Sequence, residues 1–438
     1  MPKPLPKLAA DSGRPEARLL LRSGQVREDS DGAEAIATAL AGDLDWDYLL
    51  PAASRHGMTP LLYQYLKTAR AGIVPETVLD QLRDSFHTIT RHNLFLAGQL
   101  FDLLELFEAN AIPAIPFKGP VLAVFAYGDL SLRQFVDLDI IVRRKDVLRS
   151  KELLVSRGYR PALQLSRVEE KVFVLSDFEN YPLKDTTGSF EVELHWGVTR
   201  RLSIALDADR LHDCLIPVSV SGREIRTLRT EDLLLTLCVH GAVHFWERLA
   251  WVCDVAKLVA AHRSLEWERV LKQAAALGCR RMLFLGLLLA GELLRAPVPK
   301  EILLRAHGDT EAESLAEQVC REMFRDSRDP PSALERFRLE VRMRERLRDR
   351  VRHCLAIAVT PRVQDAEFLP LPGPLSPLYY LVRPVRLLLQ YGLGAARRER
   401  VRARQREIER KESEIQNPKS EMQNPESEVG NPESEIGK

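Results

Sequence analysis

Asp137 and Asp139 stand two apart in Val136-Asp-Leu-Asp-Ile140. In a strand, residues two apart project from one face, so this spacing sets both carboxylates side by side while Val136, Leu138 and Ile140 enter a core. Two anions held together in an apolar strand are costly unless a cation compensates them, and oxygen ligands so arranged suit magnesium. Phe190-Glu-Val-Glu-Leu-His-Trp196 shows the same alternation, with Glu191, Glu193 and His195 on one face. A neighbouring strand then brings a third carboxylate to the aspartates, Glu193 first and Glu191 as the fallback. Three carboxylates on adjacent strands hold two metal ions roughly 4 Å apart for in-line displacement at phosphorus. Taken singly, each motif also fits a strand with one solvated face.

Lys118-Gly119 precedes the aspartates by one helix. Glycine lets a backbone approach phosphate closely, and a helix start offers free N–H groups and a positive dipole. Lys118 and Arg133 would neutralise phosphate charge. His240 and His244 share a helical face at zinc-compatible spacing, but the glutamate of the metalloprotease arrangement is missing between them. They read as structural histidines, or, for His244 with Arg248 and Asp254, as lining of a cleft over the sheet. Arginines crowd 336–352, broken by Glu340, Glu345 and Asp349, as in a solvated helix laced with ion pairs.

The elements that must position these groups follow from periodicity. Residues 1–32 lack it and read as a loosely ordered N-terminus. From 33 to 110 the pattern is helical, with Leu96, Leu100, Leu103, Leu104 and Phe107 on one stripe of a long helix. Residues 111–229 read as a small α/β domain: an edge strand in IPAIPF, a helix with Pro120 in its first turn, the strand FVDLDIIV, a helix over 145–157 closed by Gly158, and strands at 171–178 and 189–196. Helices predominate over 230–395, at 231–247, 249–262, 265–277, 279–294, 311–325, 332–357 and 378–391. Beyond 396 come a basic run and a tail whose seven-residue repeat from Ser413 carries proline in every full copy. Proline forbids a heptad helix there, and disorder is expected.

The run FKGPVLAVFAYGDLSLRQFVDLDIIV, a helix ending RGY, VELHW, and the block from Glu231-Asp232 through His240, His244, Arg248-Leu249, Trp251 and Asp254 resemble the uncharacterised bacterial nucleotidyltransferase-like proteins of the DNA polymerase beta superfamily. The resemblance spans roughly residues 35–390. It implies an α+β fold, a small mixed sheet of polymerase-beta-type palm with helical additions at both ends. It also implies transfer of a nucleotidyl group from a nucleoside triphosphate, ATP among them, with Mg2+ or Mn2+. Gly119 takes the glycine of the phosphate-binding turn, Asp137 and Asp139 the metal pair, and Glu193 the third acidic position. The wider superfamily has Gly-Ser in that turn, where this chain has Lys118-Gly119-Pro120.

The totals are compatible with this reading. A chain of 438 residues with 45% hydrophobic and 29% charged residues is long enough for two or three packed units. A net charge of +1 gives no global case for nucleic-acid binding. Six cysteines without a CxxC pair suggest neither a zinc knuckle nor a disulfide framework, and no signal or membrane-spanning run is visible. A cytoplasmic enzyme is expected. Its acceptor would be a protein side chain, a metabolite, a sugar or an RNA end. A nucleotide- or partner-binding module without turnover is the alternative. A kinase-like phosphotransferase needs a phosphate loop that is not found.

Overall fold

The computed structural model describes residues 14–26, 44–68, 73–165, 170, 173–174, 180–197, 211–324, 333–361, 365, 368–369, 371 and 373–389. Two compact units, Met1–Ile357 and Ala358–Lys438, divide the chain, a coarser division than the five segments expected from the sequence.

The first unit opens on α1 (Pro15–Gly24). Its Leu19, Leu20 and Leu21 are buried in the larger hydrophobic core, which corrects the expectation of loose order for this part of 1–32. Next come α2 (Trp46–Arg55), capped by Asp45 accepting the Tyr48 N–H at 3.0 Å, and α3 (Thr59–Leu66). The long α4 (Glu76–Ala109) buries Leu96, Leu100, Leu103 and Phe107 along one stripe, the spacing of a 3.6-residue period.

Five strands then make a mixed sheet: β1 (Ala114–Pro116), β2 (Asp137–Val142), β3 (Arg160–Pro161), β4 (Asn180–Lys184) and β5 (Glu191–His195), in the order β1-β2-β5-β4-β3. Only β2 and β5 pair in parallel; the other neighbours are antiparallel. Helix α5 (Gly119–Tyr127) joins β1 to β2, and α6 (Val147–Ser156) follows β2. On one sheet face Leu138, Ile140, Val192 and Leu194 pack with the α4 stripe and with Val147 and Leu154 of α6. On the opposite face Ile141 joins Ile115 and Phe117 in the larger helical core. By strand alternation the acidic residues share this second face, turned towards the helices.

The strand expected at 171–178 is not the partner of β5. Phe173 and Val174 are helical, the rest of that segment lies outside the described residues, and β4 takes the place instead. A two-stranded hairpin that the sequence reading did not anticipate, β6 (Leu215–Val220) and β7 (Arg223–Leu228), turns at Ser221-Gly222 with φ of 49° and 82°, the left-handed pair that tight hairpins require.

The helical remainder comprises α7 (Thr230–Val243), α8 (Leu249–Ala261), α9 (Trp267–Leu277), α10 (Arg280–Leu294), α11 (Lys300–His307) and α12 (Thr310–Met323). The single helix expected over 332–357 is two, α13 (Ala333–Arg342) and α14 (Leu347–Val359). Arg281 explains the break: its guanidinium donates to the carbonyls of Arg342 and Arg344 at 2.8 and 3.2 Å, supplying partners that a continuing helix would have supplied. In the second unit, α15 (Tyr379–Leu387) brings Arg383 and Arg386 to a buried Asp365. The basic run and repeat tail of 396–438 lie outside the described residues. No helix among the described residues is long and apolar enough to cross a membrane.

Candidate active site

Parallel pairing fixes the site's register. Asp137 lies opposite Glu191, Asp139 opposite Glu193, and Ile141 opposite His195. Neighbouring strands run about 4.8 Å apart, so cross-strand carboxylates are held closer than water would allow freely. Ligand atoms of Asp139, Glu193 and His195 all lie within 4.8 Å of one another. Asp137 continues this row on β2 and stands outside that closest group.

Two cations offset the row. Lys118 Nζ contacts Asp139 Oδ1 at 3.0 Å, and His195 Nε2 lies 3.0 Å from Asp139 Oδ1 and 3.1 Å from Glu193 Oε2. Asn180 of β4 donates to Glu193 Oε2 at 2.7 Å, a positioning contact absent from the sequence reading. Burial raises a carboxyl pKa, but at Asp139 the Lys118 ammonium and the His195 hydrogen bond prevail and hold it well below the usual range. The same contest leaves Glu193 lowered, mainly through His195. Asp137 has no such close partner among the described residues; burial and the Asp139 charge push it up to about 6. His195 is pushed up to about 9 despite its burial, because it bonds both Asp139 and Glu193. Its Nδ1 is buried without a hydrogen-bond partner among the described residues.

The Lys118-Gly119 turn presses on β2. Gly119 has φ of 54° and starts α5; a Cβ there would sit 3.3 Å from the Asp137 carbonyl oxygen. Both the left-handed conformation and the close approach call for glycine. Gly128, at φ 74°, then stops α5 so that the chain can return into β2.

Arg133 is paired within the protein. Its Nε and Nη2 grip Asp254 of α8 at 2.8 and 3.0 Å, and Tyr127 donates to the same carboxylate at 2.7 Å. Arg133 Nη1 is buried and has no hydrogen-bond partner among the described residues. Asn93, fully buried in α4, donates to the carbonyls of Leu130 and Arg133 at 2.8 Å each. It fixes the loop that carries Arg133, and no sequence pattern marked it. Asp254 is thus a clamp between α8 and the sheet loop.

Across the carboxylate face lies the α7–α8 junction. His240, His244 and Trp251 form a ring cluster with centroids 4.6 to 5.4 Å apart, and Arg248 stands over Trp251 at 5.8 Å. Burial and then the Lys118 charge depress the basicity of both histidines. The charges that act on them, Lys118 and Asp139 for His240, Lys118 and Glu193 for His244, place the cluster beside the acidic row. Of the residues named from sequence, Lys118, Asp139, Glu193 and His195 meet directly. Asp137 and Glu191 extend the row, Arg133 and Asp254 pair with each other, and His244 and Arg248 lie on the α7–α8 turn, where His244 feels the charges of Lys118 and Glu193.

Among solved structures the chain is similar to the antibiotic-resistance factor ANT(2'')-Ia, at 12% identity over 42% of this chain and 91% of that one, with a TM-score of 0.30. No curated protein matches. A family model described as an uncharacterised nucleotidyltransferase matches residues 42–295, more than half of the chain and a span that holds Lys118, both aspartates, Glu193 and the α7–α8 junction. On that match the chain belongs to the uncharacterised nucleotidyltransferase family, enzymes that transfer a phosphorus-containing group.

Proposed function

We propose that this protein moves a nucleoside monophosphate from a nucleoside triphosphate, ATP among them, to an acceptor hydroxyl, using a divalent ion on a polymerase-beta-type palm. The carrying observation is the cross-strand register that sets Asp139 against Glu193 with Lys118 and His195 bonded to the same row. The donor set fits such an ion: two carboxylates and one imidazole converge, and among the described residues their excess charge is met by side-chain cations. Hard carboxylate oxygens suit Mg2+ and Mn2+. Asp137, Asp139 and Glu193 would hold it, with His195 as a further ligand or brace. The ion's contribution when bound is to stabilise charge on the reacting phosphate.

The chain's own residues do the rest. Lys118 and the N–H groups at Gly119 meet the triphosphate, the glycine admitting phosphate against the backbone. Arg133 presents its unpartnered Nη1 while Asp254 holds the guanidinium plane. With Asp137 and Asp139 on the ion, Glu193, held by Asn180 and His195, is the third ligand or the base that takes the acceptor's proton. The acceptor oxygen bonds the α-phosphorus, the α–β bridging bond breaks, and pyrophosphate leaves. Pyrophosphate release from each NTP with Mg2+ or Mn2+, in the presence of cytoplasmic extract as acceptor source, tests the reading. Wild type should release it and Glu193→Gln should not. Tight nucleotide binding without release would favour a binding module.

A further inference from the structure

The turn that joins α7 to α8 is held in an unfavourable backbone conformation. Phe245 and Trp246 have φ of 54° and 53°, the left-handed region that side chains disfavour, and such strain persists only where surrounding packing dictates it. Trp246 supplies that packing. It is fully buried, and its ring lies where a Cβ on Gly241 would come within 2.5 Å and one on Gly286 within 3.1 Å. Two glycines are thus spent on seating one indole. The consequence is outward presentation of His244 and Arg248, both exposed.

Arg336 of α13 reaches the same place, its guanidinium 5.9 Å from the Phe245 ring centroid. Its only close carboxylate among the described residues is Glu247, at 3.6 Å, longer than a hydrogen bond. Arg248 forms no ion pair among the described residues; it stands over Trp251. Two sets of groups flank the acidic row. Lys118 bonds Asp139 and Gly119 abuts Asp137, on the β2 side. Arg248 and Arg336 gather at the 244–248 turn, over Trp251 and Phe245, where His244 also feels Lys118 and Glu193.

We propose that the 244–248 turn with Arg248 and Arg336 is the acceptor subsite, and that the acceptor carries an anionic group, phosphate or carboxylate, near its reacting hydroxyl. This rests on the nucleotidyl-transfer reading, which places the triphosphate at the Gly119 end. Guanidinium groups pair bidentately with either anion, and two arginines without firm partners disfavour a cationic acceptor. Trp251 and His244 give such an acceptor a flat, partly apolar wall.

The test uses the full chain saturated with Mg2+ and α,β-methylene ATP, so that the triphosphate site is filled. Inorganic phosphate and, in parallel, acetate are titrated by calorimetry. At least one anion should bind saturably, and which one does separates a phosphate from a carboxylate acceptor. Arg248→Ala and Arg336→Gln should each weaken that binding by about tenfold or more, with methylene-ATP affinity changed less than about twofold. Circular dichroism checks that both surface variants fold. Absence of anion binding, equal binding in both variants, or loss of nucleotide affinity in place of anion affinity would overturn the proposal. Failure of wild type to bind the nucleotide would instead overturn the transfer reading, and this one with it.

Discussion

Replacing Asp254 with alanine removes the acceptors of three hydrogen bonds at once: 2.8 and 3.0 Å from Arg133, and 2.7 Å from Tyr127. Water cannot substitute readily, because the Arg133 and Asp254 side chains are only 10% and 2% exposed. Stranding one member of a buried ion pair costs about 3–5 kcal/mol, and an unsatisfied hydroxyl adds about 1–3 kcal/mol. Allowing for overlap between these effects, Asp254→Ala should lose about 4–6 kcal/mol of stability, a large part of a typical domain's total. The triple change Tyr127→Phe/Arg133→Met/Asp254→Leu removes every polar group of the clamp together and should fall within about 2 kcal/mol of wild type. Urea unfolding followed by tryptophan fluorescence and far-ultraviolet circular dichroism gives both values. A loss below about 1 kcal/mol for Asp254→Ala, or a triple variant as unstable as the single one, would refute the reasoning. With the triple variant folded, its activity also tells whether Arg133 serves phosphate. A fall of about a hundredfold or more assigns that role, and unchanged activity confines Arg133 to the clamp.

Three further outcomes are expected. Glu193→Gln should lower kcat/KM by about a thousandfold or more, whereas Glu191→Gln, one register pair away, should stay within about threefold; steady-state pyrophosphate release measures both. Gly119→Ala must adopt φ of 54° and bring its Cβ to 3.3 Å from the Asp137 carbonyl, so a stability loss of about 1–2 kcal/mol with weakened nucleotide binding is expected by denaturation and calorimetry. With divalent ions chelated, His195 is held up at about 9 against an ordinary 6.5. Its stabilisation is therefore complete below about pH 6.5 and is lost as pH rises to about 9, by at most about 3 kcal/mol. His195→Gln should flatten that limb of the stability-pH curve.

The acidic row was legible because strand alternation is strict at both Asp137-Leu-Asp139 and Glu191-Val-Glu193, and period two needs no tertiary knowledge. Pairing was not: nothing in either segment says that β2 and β5 run parallel or that Asp139 meets Glu193. His195 was placed on the right face, yet its bonds to both carboxylates depend on that register. The strand β4 was missed because Asn180-Tyr-Pro-Leu-Lys184 contains proline and lysine, while the β-branched and aromatic KVFVLSDF beside it drew the assignment. The β6–β7 hairpin carries a local signal, Ser221-Gly222 between alternating apolar residues. Helix α1 was hidden by flanking proline and glycine, although Leu19-Leu-Leu21 marks what it buries. The Arg133–Asp254 clamp joins residues far apart in the chain and had no local trace.

Nucleotidyl transfer is the central claim, and label position tests it most directly. The protein is incubated with NTP labelled at the α- or the γ-phosphate, with Mg2+ or Mn2+ and cell extract as acceptor, beside Asp137→Asn/Asp139→Asn. Transfer of α-label alone, lost in the double variant, is the expected result. Transfer of γ-label, or α-label transfer that survives loss of both aspartates, would contradict the account.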